Sequence, residues 1–411
     1  MSSTVGSARG GYRSVLGNRQ FVIFLGSSNA STVGYAVYTI SIVWLAYTIS
    51  HSFLDVGAVL FIEYACYTAT FLIGPFVDRV RNQRTIFLVI YPLQAIAAAA
   101  IGFGFLDGFL SIALLFALVA LISILWDMTW AAINAAPGVL LSPDEQFAAS
   151  GVAGLIGGVL TITGYAFGGL LILLVGAEGG MFLYSALLLA GAVLAVPLRI
   201  TPPATTDASL RESFRGGWGL VTGGEGRPLL QLAAVDSVEG FLLSASPLLI
   251  TLLATETYHS SAAGYATLFT AFVVGGVVAG LVLGHWNPRG KVGLVMAVAL
   301  AAAGVAYLLT VALPAILLLG AGAWFVVGFA SAAYTDAKYA FFRGSVAPEQ
   351  LGRLVSNMYL FPGITSSVGA LLLSEVATGG VPEELGIVVG LGLLGAGGLG
   401  LVLPRIRRMR Y

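Results

Sequence analysis

Twelve apolar runs, each at or near the length of a bilayer-spanning helix, divide this chain of 411 residues, and almost every charge falls between them. They lie near 21–49, 54–76, 85–106, 109–137, 147–175, 181–198, 228–254, 263–286, 292–312, 314–342, 354–377 and 385–403. A helix rising 1.5 Å per residue needs about 20 residues to cross the roughly 30 Å hydrocarbon layer. The runs are apolar on all sides and show no strand-length alternation, which excludes a membrane β-barrel. With 58% hydrophobic and only 9% charged residues, the chain is no soluble globule, for which about 25% charged is usual. The formal net charge of zero argues against a nucleic-acid partner. The single cysteine, Cys66, excludes an internal disulfide or a multi-cysteine metal site. The first run is too long for a signal-peptide core, so it is expected to stay as an uncleaved first helix.

Positive charge sets the expected orientation. Twelve spans put both termini and the loops after even-numbered spans on one face, and 18 of the 19 Lys and Arg residues fall there. The opposite loops carry acids and histidines, among them Asp55, Asp107, Glu178, Glu256 and His259. Cytoplasmic loops are enriched in Lys and Arg, so the arginine face, with both termini, is predicted to be cytoplasmic and the protein to sit in the cell membrane. The longest hydrophilic segment, 201–227, splits the chain into six-span bundles, 1–200 and 228–411, joined by a cytoplasmic linker. Repetition supports the split: Gly74 and Arg79 recur 210 residues later as Gly284 and Arg289. Ser142-Pro143-Asp144-Glu145-Gln146 returns as Ala347-Pro348-Glu349-Gln350. The expected fold is therefore an all-α integral membrane protein of twelve helices in two six-helix pseudo-repeats, a construction used by transporters that rock two bundles about a midplane site.

The densest polar punctuation in the first half is Gly74-Pro75-Phe76-Val77-Asp78-Arg79-Val80-Arg81-Asn82-Gln83-Arg84, between the second and third runs. Gly-x-x-x-Asp-Arg in such a loop resembles the signature of the major facilitator superfamily of secondary transporters. Leu16-Gly17-Asn18-Arg19-Gln20-Phe21 and Pro348-Glu349-Gln350-Leu351-Gly352-Arg353 are similar to its siderophore and drug exporter branch, which includes the enterobactin exporters. In the fifth run, Gly164-Tyr165-Ala166-Phe167-Gly168-Gly169 resembles the Gly-Pro-x-x-Gly-Gly motif of antiporters, with Tyr165 in place of the proline. The resemblance implies a gate built from Gly74, Asp78, Arg79, Arg84, Gly284 and Arg289, with Asp127 of the fourth run latching Arg79 or Arg84. Where the family pattern has Gly-Arg-Arg or Arg-Arg, this chain has Arg81-Asn82-Gln83.

An ionisable group at bilayer depth costs several kcal/mol by insertion scales, so each one asks for a reason. Glu63 in the second run and Asp236 with Glu239 in the seventh are the deep acids, the latter two sharing one helical face. Two carboxyls so close in a low dielectric do not both ionise readily, which suits a site that takes up and releases protons. The plainer alternative is a neutral, hydrogen-bonded carboxyl that joins helices. Lys338 lies two residues from Asp336 and so on a different face; snorkelling to the interface is its expected role. Asn29, Tyr35, Tyr38, Gln94, Trp126, Trp130 and Tyr359 are candidates to line a cavity for an amphipathic compound, although most aromatics in such proteins are packing or belt residues.

Gly390-Leu391-Gly392-Leu393-Leu394-Gly395 matches a dinucleotide-loop pattern but follows no strand, so close helix packing is expected. Gly290-Lys291 lacks the spacing of a phosphate loop. The three histidines lie at span ends and form no catalytic or metal-binding cluster, so no enzyme activity, cofactor or metal is expected. The expectation for function is a monomeric, proton-coupled exporter of small organic compounds such as drugs, siderophores or metabolites. An importer or facilitator of a sugar, amino acid or metabolite is the alternative, followed by a membrane sensor or membrane-embedded enzyme.

Overall fold

The computed structural model describes residues 14–68, 83–200, 227–286, 291–346 and 348–402. Twelve helices follow the twelve runs. They are α1 (Arg19–Ser50), α2 (Phe53–Thr68), α3 (Gln83–Leu106) and α4 (Ile112–Leu140), then the stretch Pro143–Ala195, which holds α5 (143–175) and α6 (177–195). The second half has α7 in three pieces (Arg227–Leu243, Ser246–Leu252 and a π-helical turn Leu253–Thr257), α8 (Ser261–Trp286), α9 (Val292–Ala312), α10 (Leu317–Ser345), α11 (Pro348–Ala377) and α12 (Pro382–Val402). Ten of the described stretches are long and apolar enough to cross a membrane. The twelve-span total follows because α2 shows 16 residues before its description ends and α5 and α6 count as one. Gly74, Asp78, Arg79, Arg289 and nearly all of the linker lie outside the described residues.

Local chemistry sets the ends. Asn18 caps α1, its side-chain oxygen accepting from the backbone N–H groups of Gln20 and Phe21 at 3.0 and 3.2 Å. His51 closes α1 in the left-handed conformation, its N–H bonded to the Tyr47 carbonyl. At the start of α5 the Glu145 carboxylate accepts from the N–H and hydroxyl of Ser142, with Pro143 in the first turn, where its missing N–H costs nothing. The repeated Ser/Ala-Pro-Asp/Glu motif is therefore a helix-start signal in both halves. In the second half it lengthens the helix: Pro348 to Arg353, which sequence places in a loop, forms the first turns of α11. Gly176, at φ 81°, separates α5 from α6. The interruption of α7 falls just before Ser246-Pro247, where proline cannot donate to the preceding turn.

Helices pack mainly within their own half. In the first, α1 lies against α5 and α6, α3 against α6 and α4, and α2 against α4; in the second, α8 and α9 flank α10 and α9 packs on α12. The seams are glycine-lined. A Cβ at Gly328 of α10 would stand 1.8 Å from the Phe272 carbonyl oxygen of α8, and one at Gly275 of α8 would stand 2.0 Å from the Phe325 carbonyl oxygen. Gly390 of α12 lies against Leu308 and the Gly304 carbonyl of α9, the helix-packing role expected of that glycine run. The halves meet through α2 with α11 and α5 with α8. Gly57 faces Ser374 and Ala370 there, and Gly169 faces Ala266.

Candidate functional site

α7 packs on α11 and α12, and its deep face reaches Lys338 of α10 through side chains. Its Nζ lies 3.2 Å from Asp236 Oδ1, and the same oxygen accepts from the Tyr334 hydroxyl at 2.5 Å. Tyr334 and Lys338 are four residues apart and so project from one face of α10. Both members of the ion pair are buried, with side-chain exposures of 6% and 2%. Lys338 thus does not snorkel. An aliphatic stem long enough to reach an interface reaches an acid instead, because a buried carboxylate with no counter-charge is worse than the cost of burying both. Its ammonium also lies 5.3 Å from the Tyr334 ring centre and 5.6 Å from that of Tyr359 on α11.

Glu239, one turn beyond Asp236, is buried and lines a cavity of about 370 Å³ with Tyr165 of α5, Phe272 of α8 and Ser331, Thr335 and Asp336 of α10. Tyr359 extends the cluster toward the first half: its hydroxyl bonds that of Tyr339, and Tyr67 of α2 meets its ring edge-on at 6.0 Å.

The first half presents stacked aromatic rings together with the acids Glu63 and Asp127. Tyr35 of α1 stacks on Trp126 of α4, the ring centres 3.8 Å apart and the planes within 4°. Trp126 in turn stacks on Trp130 at 6.1 Å, and Tyr38 lies 5.2 Å from Tyr184 of α6. Aromatic pairs contribute about 0.5–1.5 kcal/mol each beyond area burial when offset or edge-to-face. Gln94 of α3 is fully buried, its amide donating to the Tyr184 hydroxyl at 3.3 Å and the Ile122 carbonyl at 3.4 Å. Asn29 donates to the Leu25 carbonyl of its own helix and lines a separate apolar groove between α1, α5 and α6. Glu63 is half-buried on α2 beside Tyr38.

Of the gate residues that are described, Arg84 stands at the start of α3, Asp127 is buried on α4, and Gly284 lies in the last turn of α8. Gly164 and Gly168 of the fifth-helix motif take close contacts from Val33 and Val37 of α1, while Gly169 faces Ala266 of α8. Tyr165, at the motif's proline position, lies between the two carboxyl regions: it lines the Glu239 cavity and stands within electrostatic range of Glu63. What sequence reasoning missed is Lys338. The available signal was its four-residue spacing from Tyr334 and the need of a buried Asp236 for a cation.

Helices 1–6 and 7–12 facing each other across polar side chains from α1, α2, α4, α7, α10 and α11 decide the architecture. This is the major facilitator fold. The nucleoside transporter NupG superposes with a TM-score of 0.73 at 12% identity, covering 93% of this chain and 98% of that one. A POT family transporter in complex with thioalcohol-conjugated peptide gives 0.75 at 10% identity, covering 93% and 96%. A bacterial homologue of the human lysosomal transporter Spinster, inward-facing and occupied, gives 0.65 at 18% identity, covering 98% and 95%. No family model and no curated protein sequence matches the chain.

Proposed function

We propose that this major facilitator chain is a proton-coupled secondary transporter that exports small organic compounds across the cell membrane by alternating access. The observation that carries the reading is the buried Lys338, Asp236 and Tyr334 group with Glu239 one turn away on a cavity wall. Buried charge of this kind is costly and weak evidence of stability, so a working role accounts for its retention better than a structural one. Asp236 is held by two donors, whereas Glu239 faces the cavity. A proton taken up by Glu239 removes a negative charge near Lys338, and a proton on Asp236 breaks the pair joining α7 to α10. Helices held by an ion pair in one protonation state and released in the other form the two-state element that alternating access needs.

The described contacts between the halves run from Gly57 with Ser374 and Gly169 with Ala266 to Thr68 with Gly363.

Inverted membrane vesicles test the reading. A proton gradient should drive accumulation of an exported compound in the wild type, and Asp236→Asn with Glu239→Gln should abolish it while substrate exchange without a gradient persists. Gradient-driven accumulation by the double variant would place coupling elsewhere.

A further inference from the structure

The cavity beside α7 contains an acid that is buried but not hydrogen-bonded. Asp236 accepts from both the Tyr334 hydroxyl and Lys338 Nζ, whereas no hydrogen bond reaches the Glu239 carboxyl among the described residues. Glu239 is only 8% exposed and lines the cavity, so its carboxyl is desolvated without a donor in return. Lys338 is bonded to Asp236 and does not line the cavity. Among the described lining residues there is no lysine, arginine or histidine, and the second charged one, Asp336, is also an acid.

The walls define what fits. On one side stand aromatic rings: Tyr165 of α5 and Phe272 of α8 join through Phe269, with ring centres 5.1 and 6.1 Å apart. Phe272 in turn meets Trp324 of α10 edge-on at 6.2 Å, so this wall is held before any ligand arrives. On the other side Ser331 and Thr335, four residues apart, lie along one stripe of α10. The Ser331 hydroxyl has no hydrogen-bond partner. The seam between α8 and α10 is pinched at Gly275 and Gly328 but opens beside Gly276, where a Cβ would meet nothing nearer than 3.6 Å. The resulting space of about 370 Å³ falls at the lower end of the range for small-molecule pockets, about 300–1,000 Å³.

A carboxylate beside hydroxyl oxygens accepts N–H bonds, and a bond from an ammonium to it is charge-assisted on both sides. Aromatic faces add attraction for the cation, and Leu243, Val273 and Ala332 suit an apolar body. A divalent metal fits less well, since magnesium and calcium take six or more oxygen ligands. Among the described residues no three of His, Cys, Asp and Glu come together to hold one.

We propose that this cavity binds a protonated amine, an N–H-bearing ammonium on a small apolar body, with Glu239 as its counter-ion and Ser331 and Thr335 as further acceptors. This is a substrate class for the same site that carries the coupled-transport reading, and it rests on that reading for its biological sense. An ionised Glu239 holds the ammonium and a protonated Glu239 does not. Proton and substrate therefore displace each other at one carboxylate, which is the exchange a proton-driven exporter needs.

Equilibrium binding to the full chain in lipid nanodiscs needs no gradient and separates the two proposals. The probes are phenethylamine, protonated at neutral pH, its uncharged counterpart phenethyl alcohol, and trimethylphenethylammonium, which keeps the charge but has no N–H. Each is titrated by calorimetry against wild type, Glu239→Gln and Ala332→Leu. Phenethylamine should bind saturably and at least about tenfold tighter than either of the others. Glu239→Gln, nearly the same shape, should remove that advantage and leave alcohol binding unchanged, so exchange at raised substrate concentration persists. Ala332→Leu keeps the acid but narrows the cavity, and should weaken phenethylamine about tenfold. Equal affinity for amine and alcohol, a quaternary ion bound as tightly as the amine, or amine affinity unchanged in either variant would overturn the site. Amine binding that depends on Glu239, in a protein whose double variant still accumulates substrate in vesicles, would leave this site standing and overturn the coupling reading alone. Gradient-driven accumulation that depends on Asp236 and Glu239, in a protein with no preference for the amine, would do the reverse.

Discussion

The two halves repeat one helical plan around opposite interiors. At the centre of the first, Tyr35, Trp126, Tyr38, Tyr184 and Gln94 stack and hydrogen-bond; at the centre of the second, Lys338, Asp236, Tyr334 and Glu239 concentrate charge. Aromatic packing is tolerant, because losing one ring leaves neighbours that remain apolar and neutral. Charge packing is not, because losing one partner strands the other.

That contrast is most directly broken at Lys338. Lys338→Met should destabilise the protein by about 3–5 kcal/mol by leaving Asp236 buried without its cation, and the double variant with Asp236→Asn should recover most of the loss. Gln94→Leu in the first half should cost only about 1 kcal/mol, the net worth of an amide's hydrogen bonds. Thermal melts in one detergent compare them, and equal losses at the two sites would erase the distinction. The helix seams should differ in the same direction by less. Gly328→Ala pushes a methyl to within 1.8 Å of a backbone oxygen that cannot rotate away, whereas at Gly168 of α5 the nearest atom is Val37 Cα at 3.2 Å. Overpacking at Gly328 should cost about 1–3 kcal/mol, and Gly168→Ala less, by the same melts.

The smallest effect belongs to the first half alone. Hydrogen bonds from the Ser14 hydroxyl, then from Ser142, hold the Glu145 carboxyl below its ordinary value of 4.5. A depressed folded-state value means that the stabilisation is present above pH 4.5 and fades as pH falls through the lower folded value. Wild type should therefore lose slightly more Tm than Glu145→Ala below that pH, and parallel profiles would show that the exposed contact contributes nothing.

The apolar runs made the fold legible, since hydrocarbon thickness fixes helix length and twelve runs leave few ways to fold. Their ends were less legible, since the caps at Asn18 and Ser142 start α1 and α5 ahead of the apolar runs. The break in α7 was no clearer, because a proline inside an apolar run kinks some helices and merely starts a turn in others. Within the site, Asp236 and Glu239 stood out by depth alone. Lys338 did not, because its nearest acid in sequence is Asp336, whereas its actual partner lies 102 residues away on α7. Burial is legible along a chain, but pairing between helices is a property of the packed bundle. Tyr165 illustrates the same limit: in sequence it is a departure from a motif, and only the packing of α5 against α8 brings it to the Glu239 cavity.

The entry to α1 is fastened at both ends of its own half. Ser14 bonds Glu145, Asn18 donates to the Leu140 carbonyl at 3.1 Å, and Gln20 donates to the Pro197 carbonyl while accepting from the Arg199 N–H at 2.7 Å. These clasps span 122 to 179 residues, so they are among the last contacts the first half can make. As the polypeptide leaves the ribosome, the first helix must wait in the lipid until the sixth has been threaded. When Arg199 arrives the ring can close, before the second half has emerged, and the later helices can then assemble against a finished partner.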